Sequence, residues 1–154
     1  MSAVIMSENT LDAVLSPSHD AWVEEARHLL HPAARSDTGW ERWTVVRWLN
    51  EGFEHRFLAE RALVNELRPL MTPREEDMLD ASEDRIARLR LGLDRVARRR
   101  GGPAEFAALA DEFLRALEIW CAEVELAGRR VREWSLTSDG RRALRLLEGG
   151  AEAD

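Results

Sequence analysis

The sequence predicts an all-α fold: an antiparallel up-down four-helix bundle with a short extra C-terminal helix. Three observations predict it. The stretch Trp40 to Met71 reads as one long amphipathic helix. At roughly 100° per residue, Val45, Val46, Leu49, Phe53, Phe57, Leu63, Val64 and Leu67 fall on one arc. Residues 73–100 and 103–134 carry the same period, and helices of about 30 residues each would measure roughly 45 Å. The links between them are short, which makes consecutive helices antiparallel neighbours. No segment alternates as a strand does, and no repeat or linker divides the chain.

Residues 1–16 lack a stripe and are expected to be disordered. The first helix is expected to begin at Ser16-Pro17, with Ser as the cap and Pro in the first turn. Trp22, Val23, Ala26, Leu29 and Leu30 give its stripe, and Pro32 is expected to stop it. Asp37 or Thr38 can cap the central helix, which should end near Arg68-Pro69, because the residue before proline disfavours the α region.

Thr72-Pro73-Arg74-Glu75 is the clearest local signal. Thr is the N-cap, Pro the first helical residue and Glu the third, a capping box. The third helix runs from there to about Arg100 on a stripe of Met78, Leu79, Ile86, Leu89, Leu93 and Val96, with Ser82 as its one polar member. Gly101-Gly102-Pro103 separates it from the fourth. That helix has a stripe of Phe106, Leu109, Ala110, Phe113, Leu117, Trp120, Val124 and Val131, with Cys121 at the edge. A weaker stripe of Ala108, Ile119, Ala122 and Leu126 lies opposite. After a turn at Ser135 to Ser138, DGRRALRLLE predicts a short helix with Leu144 and Leu147 inward. Residues 17–148 thus read as a single helical-bundle domain and 149–154 as a tail.

Composition narrows the function. A chain of 154 residues, 45% hydrophobic and 33% charged, fits one domain. No apolar run approaches the roughly 18 residues of a membrane span, and the N-terminus lacks the basic and apolar regions of a secretory signal. One cysteine excludes an internal disulfide and fits a reducing compartment, so a cytoplasmic location is expected. The net charge of −7 argues against nucleic acid and against an anionic membrane, since both need clustered positive charge. Arg supplies every basic residue besides His, a bias that a GC-rich genome explains.

Candidate chemistry concentrates at a few positions. Glu24, His28 and His31 share a helix face in metal-ligand spacing, but opposite the stripe, where a solvated face is expected. Glu51 and His55 stand off the arc in the same way. Cys121, mid-helix between Trp120 and Ala122, reads as a buried structural thiol. Arg56 and Glu60 lie in the middle of the central arc, one turn apart. Two readings stand. They form a structural ion pair that reaches a helix interface, or they line a polar pocket with Ser82 facing them from the third helix. Arg56, Glu60, Ser82 and Cys121 are the candidate ligand-binding residues. The arginines from Arg85 to Arg100 interleave with Asp80, Asp84 and Asp94, which predicts a salt-bridged, solvated face.

EHRFLAE at Glu54 to Glu60, SEDRIARL at Ser82 to Leu89 and ALEIWCAEVE at Ala116 to Glu125 follow one another along this layout. Together they resemble the hemerythrin-like family, four-helix bundles that hold one or two iron ions with inward His and carboxylates. The resemblance implies a bundle. It would imply iron or zinc only with the ligands in place, and Ala59 stands at the carboxylate position with Glu60 one residue late. Asp84 stands where His is expected, and the last helix has no His.

The expected function is therefore non-catalytic: a helical bundle acting through protein–protein interaction, with itself or with a partner protein, and no cofactor. Trp40, Trp43, Ile119, Ala122 and Leu126 are the candidate interface, because one core face per helix leaves them outside, and a homodimer is the expected assembly. The alternative that the resemblance carries is a bundle binding metal or a small polar ligand near Arg56 and Glu60.

Overall fold

The computed structural model describes residues 18–35, 39–99, 102–137, 139–143 and 145–146. Among the described residues every regular element is helical and no strand occurs. The helices are α1 (Ser18–Arg35), α2 (Gly39–Trp48), α3 (Glu54–Leu67), α4 (Pro73–Arg98) and α5 (Pro103–Ser135). A π-helical turn, Leu49–Phe53, joins α2 to α3, and a 3-10 turn, Arg68–Leu70, follows α3. Residues 139–143 and 145–146 are helical, where a short C-terminal helix is expected. The expectations for residues 1–16, Ser16-Pro17, the cap at Asp37 or Thr38, Leu144, Leu147 and the tail at 149–154 lie outside the described residues.

α1 does not stop at Pro32 but continues to Arg35. A proline one turn from the end removes a hydrogen bond only from the last turn. Ala33, fully buried, and Ala34, packed against the core, hold that turn in place.

The central helix is not uniform. Leu49, Phe53 and Phe57 are all buried and spaced by four residues, and each such step overshoots a 3.6-residue turn by about 40°. The π turn is wider, with i→i+5 bonds, and takes up part of the overshoot, so the line of side chains keeps facing inward. Trp48 joins the core there, 5.4 Å from the Phe53 ring and 6.3 Å from that of Phe113. Gly52 makes room for it, since a Cβ would lie 3.2 Å from Trp48 Cδ1. Val45, Val46, Val64 and Leu67 are buried as the arc requires, while Leu63 is half-buried.

The capping box forms. The Glu75 N–H donates to Thr72 Oγ1 at 3.2 Å, and the Thr72 N–H donates to Glu75 Oε1 at 2.9 Å. Arg130 of α5 donates to both Glu75 oxygens and to the Leu70 carbonyl, the last at 2.7 Å. The α3–α4 turn is thereby tied to α5. Along α4, Leu79, Ile86, Leu93 and Val96 are buried. Met78, expected on this stripe, is exposed. Leu79, Ile86 and Leu93 recur every two turns and set the inward line, and Met78 is about 100° away from it.

At the other end Gly102 takes the left-handed conformation, φ 70°, and Pro103 opens α5. Arg42 of α2, buried, donates to the Arg99 carbonyl at 3.0 Å, and its guanidinium lies 5.2 Å from the Phe106 ring centroid. One side chain thus spans the end of α4 and the start of α5. α5 packs along both α4 and α1, and α2 packs on both α1 and α4. Between them lies an aromatic layer in which Trp22 stacks on Phe53 at 5.5 Å and Phe57 meets Trp120 edge-on at 5.3 Å.

Replacing Thr72 by Ala removes the cap of α4 while leaving its buried stripe intact. The expected loss is about 1 kcal/mol of unfolding free energy in urea, with unchanged helical circular dichroism. An unchanged midpoint would show that the cap carries no stability.

Candidate functional site

The stripe of α1 begins one turn earlier than its apolar residues. His19 precedes Trp22 by three positions and Val23 by four, so it shares their face. It is 1% exposed. The ring lies between two carboxylates from two other helices. Nε2–H donates to Glu60 Oε2 of α3 at 2.9 Å, and Nδ1–H donates to Glu125 Oε1 of α5 at 3.2 Å. Two facing carboxylates favour the protonated ring, the form in which both nitrogens donate. Glu60, 5% exposed, accepts on its other oxygen from Arg56 Nε at 3.0 Å. The Arg56 guanidinium lies 5.1 Å from the Trp22 ring centroid, back on α1.

The electrostatics are mutual. Burial works against the charged form of His19, but the hydrogen bonds and charges of Glu60 and Glu125 outweigh it and raise the pKa above its ordinary value. For Glu60, burial works upward, and the His19 hydrogen bond and charge, then Arg56, outweigh it and hold the carboxyl below its ordinary value. Cys121 is pushed up to about 12, first by burial and then by the negative charges of Glu60 and Glu125. A thiol so placed stays protonated at neutral pH and is a poor nucleophile.

A groove of about 370 Å³ between α1 and α5 opens beside this network. His19, Cys121 and Glu125 line its inner side, and Asp20, Glu24 and Glu118 its rim, with Arg27 bonded to Glu24 and Glu118 at 2.7 Å each.

Of the sequence candidates, Arg56 and Glu60 are in direct contact, and Cys121 lies within their electrostatic reach. Ser82 is not part of the group. Its hydroxyl donates to Glu123 Oε2 of α5 at 2.6 Å, so it serves the α4–α5 contact and does not face Arg56 and Glu60. His19 and Glu125 escape sequence reasoning. The signal for His19 was its place on the Trp22 and Val23 face. Glu125 sits at the border of its stripe and carries no comparable signal. Glu24, His28 and His31 are exposed, with His28 Nε2 3.4 Å from Glu24 Oε1. Glu51 and His55 are exposed too, as are Arg85, Arg88, Arg95, Arg98 and Arg99, with Arg98 donating to Asp94 at 3.0 Å. Among the described residues no group of three or more His, Cys, Asp or Glu is placed to hold a metal ion. The interface candidates are exposed: Trp40 by 76%, Trp43 by 56%, Ile119 by 43% and Leu126 by 63%, with Ala122 between the last two.

Replacing His19 by Ala leaves Glu60 buried with Arg56 alone, and the expected cost is about 3 kcal/mol of stability near pH 5.5. The raised pKa of His19 contributes stability that is complete below its ordinary value of 6.5 and lost as pH rises through the folded value. The lowered pKa of Glu60 contributes stability that is present above 4.5 and lost as pH falls through the folded value. The gap between wild type and His19→Ala, measured by urea unfolding, is therefore widest between those two values and narrows on both sides. A gap independent of pH would mean that the ring is neutral.

No family model matches the chain, and no curated protein or solved structure does either.

Proposed function

We propose that the chain is a non-catalytic protein that acts by binding protein, built as an antiparallel up-down four-helix bundle with a short fifth helix at its C-terminal end. The observation that carries the binding reading is the exposure of Trp40, Trp43, Ile119 and Leu126 on a charged surface. Large aromatics are favoured anchors at interfaces, and apolar residues rimmed by charge mark contact surfaces. The packing of α1 on α2, α2 on α4, α4 on α5 and α5 on α1 supports the bundle, because the central helix that α2 opens lies between α1 and α4 and the last long helix closes on the first.

The chemistry of the buried groups supports a non-catalytic role. Both His19 nitrogens are engaged by carboxylates of the chain itself, Glu60 and Glu125, which leaves neither facing a substrate as a base. Cys121 is not activated. Arg56 and Glu60 are bonded to one another, which favours the ion-pair reading over a ligand pocket. On this reading the protein takes no cofactor and binds neither nucleic acid nor membrane.

The test is the size of the complexes the protein forms in cells, read by chemical cross-linking of the wild type and of Trp43→Ser and Leu126→Glu. Both positions are solvent-facing, so each substitution should change stability by no more than about 0.5 kcal/mol. Smaller complexes with unchanged stability are expected. Unchanged complexes, or variants destabilised as core substitutions are, would overturn the reading.

A further inference from the structure

A histidine ring carries two N–H groups when charged and one when neutral. Set between two carboxylates, it can donate to both only in its charged form. His19 is such a ring, and its two carboxylates stand on different helices, Glu60 on α3 and Glu125 on α5. Loss of one proton must therefore free one helix and keep the other. The surroundings decide which. Glu60 is 5% exposed, and its other oxygen accepts from Arg56. Turned from the ring it would find no water. The Glu125 side chain is 28% exposed, and Arg129, one turn along α5, lies 3.8 Å from its second oxygen. Its bond to the ring is also the longer of the two, 3.2 Å against 2.9 Å.

We propose that His19 is a proton-operated latch: protonated, it holds the first turn of α1 to α3 and α5 together; deprotonated, it keeps Glu60 and releases Glu125, which turns to Arg129 and the solvent. The neutral ring keeps its proton on Nε2. Its bare Nδ1 then faces a carboxylate oxygen, two acceptors with no hydrogen between them. The groove between α1 and α5 gives the proton a way out and the carboxylate room to move, because His19, Cys121 and Glu125 all line it. Across that groove the bond from Arg27 to Glu118 remains, two turns further along α1 and between exposed side chains. Trp22, Ala26 and Leu30 stay buried, so the loosening is confined to the turn that precedes them.

The charges around the ring set the direction. From α3 it meets Glu60, with Arg56 behind. From α5 it meets Glu125, with Cys121 beside it in the groove wall. Asp20, Glu24 and Arg27 of α1 and Glu118 of α5 complete the groove. α2 also packs on α1, but its buried charge, Arg42, is committed near the start of α5, to the Arg99 carbonyl and the Phe106 ring. Glu60 and Glu125 hold the ring protonated against its burial, to a pH above the ordinary histidine value. The latch is shut below that value and opens as pH rises through the folded one.

The test is native-state hydrogen exchange of the full chain from about pH 5.5 to about pH 9, read beside the NMR titration of the His19 ring. The amides of Trp22, Val23 and Glu24 bond back to carbonyls of the first turn and report on it. Their protection, corrected for intrinsic exchange, should fall about tenfold or more at the midpoint of the ring titration, while that of Ile86 and Leu117 stays level. In Glu125→Gln the fall should vanish, because the amide accepts from a protonated Nδ1 and donates to a bare one. In Glu118→Gln, on the same groove, it should persist. Level protection in the wild type, a fall at a midpoint other than that of the ring, or a ring that titrates below its ordinary value would each overturn the proposal. So would a fall retained in Glu125→Gln or lost in Glu118→Gln. If Glu125→Gln does not fold, the two wild-type midpoints decide, and their disagreement overturns the latch.

Discussion

The buried ring of His19 is the point on which the rest of the core depends. It ties α1 to α3 and α5 at once, through Glu60 and Glu125. Removing two carboxylates and a ring from water costs several kcal/mol, and the ion pairs return that sum only when their geometry is good. Their larger effect is on alignment. Apolar side chains pack acceptably in several helix registers. A buried ring with two carboxylates does not, because a slip of one turn strands a charge. The aromatic layer of Trp22, Phe53, Phe57 and Trp120 sits directly against this network, and the Arg56 guanidinium closes it over Trp22. Charge sets the register and the aromatic rings fill it.

The two ends are held by arginine as well as by apolar contact. Arg130 takes the Glu75 carboxylate and the Leu70 carbonyl at the α3–α4 turn. Arg42 takes the Arg99 carbonyl and the Phe106 ring where α4 gives way to α5. In both cases the guanidinium satisfies a carbonyl that a helix end leaves open. A chain without lysine suits this arrangement. The planar fork can serve a carboxylate and a carbonyl together, which a compact ammonium does less well.

The helical class and most boundaries were legible in the sequence because they rest on local chemistry. The Thr72 box, the end of α3 before Pro69 and the start of α5 at Pro103 depend on residues within one turn of each other. The ion pair of Arg56 with Glu60 was legible for the same reason. What stayed hidden is what tertiary structure creates. Glu125 becomes a partner of His19 only when α5 lies beside α1, and no spacing along the chain announces that. Ser82 was placed on the correct stripe, but rotation toward α5 gave it Glu123 in place of Arg56 and Glu60. Pro32 misled because a helix-stopping rule takes no account of an alanine buried behind it.

The π turn at Leu49–Phe53 has a consequence for how this chain tolerates change in length. It holds one residue more than an α-helical turn would, and α3 follows it without a break. Deleting one residue there would leave a continuous helix of ordinary geometry with the downstream faces nearly unchanged, because the residues of a π turn sweep about the same angle as one fewer residue of α-helix. Keeping every residue but winding the turn as α-helix would instead rotate everything downstream by about 100° relative to α2. Glu60 would then swing away from His19, and Phe57 and Val64 would leave the core with it. The turn acts as a phase adjuster. The segments before and after it keep separate helical phases, and the extra residue is absorbed there without turning Glu60 away from His19.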